Sequence, residues 1–157
     1  MRAGRDQAKP RRYARIRNEP AYLPSNGKPL ATALGALARA FTSETGIRTL
    51  RVLGQGALPV PTEIELFRIV QESFANVRRH AHASTVAIAL RTDAHIIRLV
   101  IHDNGRGGAS TTSTKGQGVR GMQERAGLLG GHCRCFSRPG KGTTVAVIVP
   151  VLKRNAP

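Results

Sequence analysis

Two neighbouring stretches of strict alternation most constrain what this chain can fold into. In STVAIALRT (84–92), Val86, Ile88 and Leu90 point one way; in the next run Ile97, Leu99 and Ile101 do the same, and Asp103 is the next member of their series. Alternation with period two calls for a sheet with one buried face. It also delivers a carboxylate to the inward end of an aliphatic row, where a charge is costly without a hydrogen-bond partner. The string around it, IHDNGRG (101–107), reads by itself as an Asp-Asn-Gly turn. Equally, Gly105 and Gly107 beside a fixed carboxylate suit a backbone that approaches a ligand closely. The flanking segments decide between the two.

Upstream, Leu30, Leu34, Leu37 and Phe41 recur at helical spacing, predicting a helix from Pro29 to about Glu44 with Gly46 as its C-cap. Ile47 to Leu53 reads as a short strand, followed by the loop GQGALPVP. A longer helix is predicted from about Thr62 to Ala81. Pro61 stands at its entrance, and Glu63 and Glu65 lie in the first turn, where the helix dipole favours negative charge. Its core face carries Leu66, Val70, Phe74, Val77 and Ala81. Glu72, Asn76, Arg79 and His80 fall together on another face. Any amphipathic helix has a solvated polar stripe, but Asn is a poor helix former, and an Asn one turn after a Glu suits contacts to metal or phosphate.

Downstream, GASTTSTKGQG (108–118) contains nothing that packs, the composition of a lid or a plain loop. Gly116, Gly118 and Gly121 lead into a helix from about Val119 to Leu129. A glycine-rich helix start is a favourable anion site, because unpaired N–H groups and the dipole face the same way, with Lys115 and Arg120 able to add charge. GQGVRG matches the dinucleotide G-x-G-x-x-G only superficially, since it follows a polar loop instead of a strand. Residues 132–137 and 142–151 read as a closing hairpin about Pro139-Gly140. Its Cys133 and Cys135, the only two cysteines, share a face and read as small buried hydrophobes, not as a metal site with His132.

At 157 residues a single domain is expected. Residues 1–27 are basic and aperiodic and read as a disordered or irregular arm, residues 28–152 as the domain and 153–157 as a tail. No apolar run approaches the ~20 residues of a membrane helix, and the N-terminus lacks the apolar centre of a secretory signal, so the expected location is cytoplasmic. The net charge is +16, of which positions 1–30 carry +6 and the rest +10. A basic tail can bind nucleic acid or an acidic membrane. The lack of a recognition helix, zinc ligands or aromatic RNA-binding strand argues against nucleic acid.

Taken in order, these motifs resemble the ATP-binding domain of sensor histidine kinases, in the superfamily shared with gyrase, HSP90 and MutL. The match is best to the nitrate-sensor-like subfamily whose kinases drive LuxR-type response regulators. ELFRIVQESFANVRRHAHAS (65–84) is similar to its N box, DNGRG to its first glycine box, GQGVRGMQERAGLLGG (116–131) to its second and SRPGKGTTVAVIVP (137–150) to its closing hairpin. LATALGALARAFTSETGI resembles the preceding helix, so the resemblance runs from about Leu30 to Val151. It implies an α+β fold, a two-layer α/β sandwich of the Bergerat type: a mixed, mostly antiparallel sheet with helices on one face and nucleotide between helices and lid. It implies ATP and Mg²⁺ as cofactors. Asn76 would coordinate the Mg²⁺ on the phosphates, and Asp103 would accept from the adenine exocyclic amine. Gly105 and Gly107 would pass close to the base; Lys115, Gly116, Gly118, Val119 and Gly121 would form the phosphate side of the lid; Thr143 or Thr144 would lie near the adenine. Glu72 holds the acidic position that orients water in hydrolytic relatives. Arg79 and His80 would sit near the phosphates, with packing at the helix end as the other reading of His80.

A complete kinase also carries a phosphoacceptor histidine on paired helices ahead of this domain. The histidines here are His80, His82, His95, His102 and His132, none before the N box. Gly108 replaces a larger residue, and Val119 and Gln123 replace the commoner Leu and Arg. The expected activity is therefore transfer of the γ-phosphoryl group of ATP to a histidine on a separate chain or missing segment. The expected partners are a phosphoacceptor domain or full-length kinase, dimerising through the missing helices, and a LuxR-type response regulator downstream. The alternatives are a non-catalytic ATP-binding regulatory module and a protein-serine kinase of the anti-sigma type.

Overall fold

The computed structural model describes residues 28–54, 56–108 and 116–151. The basic arm, the tail and Lys115 with most of the lid lie outside the described residues. The elements run α1 (Leu30–Thr45), β1 (Arg48–Leu53), α2 (Val60–Asn76), a π-helical turn (Val77–Ala81), β2 (Thr85–Thr92), β3 (Ile96–Asp103), α3 (Gln117–Leu128), β4 (His132–Ser137) and β5 (Thr143–Pro150).

The five strands form one sheet in the order β1-β2-β3-β5-β4. Only β1 and β2 are parallel, because α2 crosses between them; the other pairs are antiparallel. All three helices pack on one face. The alternation predicted for β2 and β3 holds residue by residue: Val86, Ile88, Leu90, Ile97, Leu99, Ile101 and Asp103 all point inward and are buried. They meet Leu66, Phe67, Ile69, Val70 and Phe74 of α2, and Phe74 stacks tilted on Phe41 of α1 with ring centroids 4.4 Å apart.

Gly46 ends α1 in the left-handed region (φ 74°), its N–H bonding to Thr42 O. At the other end of α1, Pro29 supplies no side-chain cap, and the N–H of Leu30 donates to Glu63 Oε1 at 3.2 Å. Glu63 is therefore buried as a cap for a neighbouring helix, beyond the dipole role its position in α2 predicts. Glu65 takes an ion pair from Arg125 of α3 at 2.8 Å, tying α3 to α2.

The predicted 62–81 helix is not uniform. It begins at Val60 with Pro61 in its first turn, and from Val77 to Ala81 it widens into a π-turn that ends with His82 at φ 51°. Such turns are uncommon and cluster at functional sites. Here the widened turn presents the Ala81 carbonyl sideways, where Arg106 N–H takes it at 2.7 Å.

Candidate functional site

A cavity of about 870 Å³ opens between the helices and the inner end of the sheet. Its walls come from four places that the sequence separates widely: α2 with the π-turn, the loop after β3, the start of α3 and the closing hairpin.

The loop after β3 is built first, from backbone bonds. The Asp103 side chain is 5% exposed, and its Oδ1 accepts the Gly105 N–H at 2.8 Å. Among the described residues this is the carboxylate's one hydrogen bond, leaving acceptor capacity toward the cavity that Asp103 lines. Asn104 turns outward. Its Oδ1 accepts the N–H groups of Ser84 (3.0 Å) and Thr85 (2.9 Å), and its Nδ2 donates to Ser84 Oγ (2.9 Å), pinning the loop to the start of β2. Arg106 is stitched on both sides, its N–H to Ala81 O and its carbonyl to the Gly140 N–H (2.6 Å).

This packing revises the reason for two glycines. Gly105 does not line the cavity; a Cβ there would collide with the Ala81 backbone, and one on Gly107 (φ 55°) would collide with the carbonyls of Arg138 and Gly142. Both let protein backbone approach protein backbone, with only Gly107 also facing the cavity. Gly108, at φ 69°, occupies a conformation that disfavours a larger residue.

The polar stripe of α2 forms the opposite wall. Glu72 and Asn76 are half-buried and line the cavity, and Arg79 and His80 of the π-turn reach its rim. Gly116, Gln117, Gly118 and Val119 close a third side. Gly116 is the N-cap of α3 and makes no side-chain cap bond, and the first turn of that helix lines the same cavity as Glu72, Asn76 and Arg79. A Cβ on Gly118 would meet the Glu72 carboxylate. Gly121 lies outside the cavity in an adjoining basin of about 570 Å³ that also holds Arg68 and Arg79. Arg120 turns away and pairs with Glu124 at 3.0 Å.

The hairpin separates two residues that the sequence left as alternatives. Thr143 lines the cavity, whereas Thr144 lies on the far face of the sheet, its Oγ1 2.9 Å from His102 Nδ1. The reason is alternation: Val145 and Val147 point into the core with Thr143. Cys133 is in the core, and burial pushes its thiol up from 9.0 to about 11; Cys135 lines the cavity, its thiol also raised, mainly by burial. Sequence reasoning missed Arg106, Arg138 and Phe136, which line the cavity from loop or strand-end positions where no periodicity marks them.

One cavity is thus lined by a buried carboxylate acceptor and by a helix N-terminus with the Asn76 amide and Arg79, a set that suits a ligand with a hydrogen-bonding ring and an anionic tail. That is the class of nucleotide-binding α/β sandwiches. The chain belongs to the family described as "Histidine kinase-, DNA gyrase B-, and HSP90-like ATPase", which matches residues 62–153. It is 35% identical over 125 residues to the signal transduction histidine-protein kinase/phosphatase DegS of Brevibacillus brevis, covering 78% of this chain and 32% of that protein. It is 36% identical over 126 residues to the sensor histidine kinase LiaS of Bacillus subtilis, covering 80% and 35%. The chain thus spans about a third of the length of these relatives. Among solved structures, the histidine kinase domain of the blue-light activated histidine kinase of Erythrobacter litoralis EL346 has the same fold. It superposes with a TM-score of 0.68 at 23% identity over 78% of this chain and 61% of that one. No helix among the described residues is long and apolar enough to cross a membrane.

Proposed function

We propose that this chain is the ATP-binding catalytic domain of a two-component sensor histidine kinase, acting in the cytoplasm with Mg²⁺ on a histidine carried by another segment or chain. The observation that supports this reading is the make-up of the cavity, which is lined both by a backbone-held carboxylate and by the α3 N-terminus together with Asn76.

The residues present fit both ligands. Asp103 is a pure acceptor, complementary to an exocyclic amine. Mg²⁺ keeps several waters and takes one or two protein oxygens besides phosphates; the half-buried Asn76 offers one such oxygen, and the neighbouring Glu72 can hold a coordinated water. Bound Mg²⁺·ATP supplies the phosphoryl group and neutralises the charge that develops on it. The chain's own work is positioning. Asp103 sets the depth and orientation of the base, the N–H groups of Gln117, Gly118 and Val119 and the Arg79 guanidinium hold the phosphates, and Glu72 orients the water or the incoming imidazole. Lys115 is assigned to the same phosphate cluster. His80 serves at the rim, and Gly121 keeps the adjoining basin open for the acceptor's approach. In this reading a LuxR-type response regulator then takes the phosphoryl group from the histidine, and the acceptor helices supply the dimer.

Incubation with γ-labelled ATP, Mg²⁺ and a phosphoacceptor-helix domain from a related kinase tests the proposal. Acid-labile, base-stable label on that domain is the expected result. ATP binding without label on any acceptor domain supplied would reduce the chain to a binding module.

A further inference from the structure

The helices cover one face of the sheet. On the other, Leu50 and Val52 of β1, Val100 of β3 and Ile148 of β5 are 50%, 57%, 37% and 39% exposed. Strand register brings them together. Val52, Ala89, Val100 and Ala146 are successive cross-strand partners, and Leu50 stands opposite Ala87 in the next row. The alanines make the centre a shallow trough flanked by larger side chains. Scattered exposed aliphatics need no explanation; a contiguous set on one uncovered sheet face is the kind of patch that marks an interaction surface.

The polar positions of this face carry one sign. Arg48, Arg91, Arg98 and Arg134 share it by strand alternation with His102 and His132. The neighbouring acidic group, Asp93, is already engaged: the His95 N–H, the Arg98 guanidinium at 2.7 Å and the Ile96 N–H hold its carboxyl down to about 2.

We propose that this face docks an amphipathic helix of a partner protein, with carboxylates flanking an apolar stripe. Sign decides against a second copy of this chain, whose net charge is +16. Dimensions favour a helix: strands about 4.8 Å apart make the span from β1 to β5 about 14 Å, and a helix with side chains is about 10–12 Å across. A nucleic acid would need aromatic platforms for its bases; the aromatic that register places on this face among the described residues, Phe136, stands on the edge strand β4 opposite Thr144, and the centre of the patch is aliphatic.

The test uses the full chain and a fluorescent synthetic helix with leucine on one face and glutamate on the other, followed by anisotropy. The comparison probes are the same peptide with serine for leucine, and oligodeoxythymidylate. Saturable binding of the Leu/Glu helix is expected, weakened about tenfold or more by serine substitution of the peptide and by Val52→Glu or Arg134→Glu in the protein. ATP affinity should be unchanged in both variants, which also reports that they are folded. Equal binding of the serine peptide or the oligonucleotide would overturn the proposal, making the face a generic polyanion surface. So would undiminished binding by the folded variants.

Discussion

A methyl group added at Gly105 or Gly107 would strike backbone: the carbonyl of Ala81 in one case, those of Arg138 and Gly142 in the other. At the start of α3, a methyl on Gly118 would meet the end of the Glu72 side chain, and one on Gly121 would meet nothing within 4 Å. The two glycine-bearing segments frame the same cavity by different means. The loop after β3 is closed on itself by Asp103, on β2 by Asn104, on the π-turn by Arg106 N–H and on the hairpin by Arg106 O. The proposed base end is thereby formed before any ligand arrives. The start of α3 has no comparable backbone tie to another element among the described residues; the helix behind it is held through side chains, by the packing of Met122 and by the Arg125–Glu65 pair in its last turn. Its proposed phosphate end retains room to adjust.

This contrast is broken most severely at Gly105. Gly105→Ala forces the loop away from Ala81 and should cost about 2–4 kcal/mol in chemical denaturation; a loss below about 1 kcal/mol would mean that the loop gives way easily. At the adjustable end, Asn76→Ala should leave folding within about 0.5 kcal/mol. It should weaken Mg²⁺-dependent ATP binding about tenfold or more, or about 1.4 kcal/mol. Calorimetry with and without Mg²⁺ checks this, and wild-type affinity in that variant removes Asn76 from the metal role.

The hairpin that locks the base end carries its own pH signature. The Cys133 thiol titrates at 9.0 when unfolded and about 11 when folded. Below 9.0 both states hold the proton. As pH rises from 9.0 toward 11 only the unfolded state loses it, so stability should fall by roughly 1–2 kcal/mol over that interval. Denaturation midpoints across the interval check it, and Cys133→Ala should flatten the slope. The smallest effect is expected at Gly121. Gly121→Ala should stabilise α3 by up to about 1 kcal/mol, and a lower melting temperature would show that the space beside it is not open.

The sheet and the candidate site were unequally legible in the sequence. Period-two alternation located Asp103 and its buried face, and helical periodicity grouped Glu72 with Asn76, because those signals reflect burial directly. The same alternation, extended back from Val145 and Val147, distinguishes Thr143 from Thr144. The π-turn left no trace, since Val77 and Ala81 keep their core positions whether the turn is α or π. Glu63 was readable as a helix-start residue, but its service to Leu30 depends on how α1 packs against α2. The sequence does not tell Gly105 from a ligand-facing glycine, because a required close approach looks identical in sequence whether the neighbour is a nucleotide or Ala81. Arg106 and Arg138 sit in loops, where position is set by tertiary hydrogen bonds alone.

The central claim is that the preformed end reads adenine through Asp103 while the other end reads Mg²⁺-bound phosphates. Isothermal titration of the wild-type chain and Asp103→Asn with ATP and GTP, each with and without Mg²⁺, tests it most directly. The account predicts that the wild type binds ATP in a Mg²⁺-dependent manner and discriminates against GTP, whose ring presents a carbonyl where adenine has an amine. Asp103→Asn should lose most of that discrimination while keeping the Mg²⁺ dependence. Equal affinity of the wild type for ATP and GTP, or discrimination undiminished in Asp103→Asn, would contradict it.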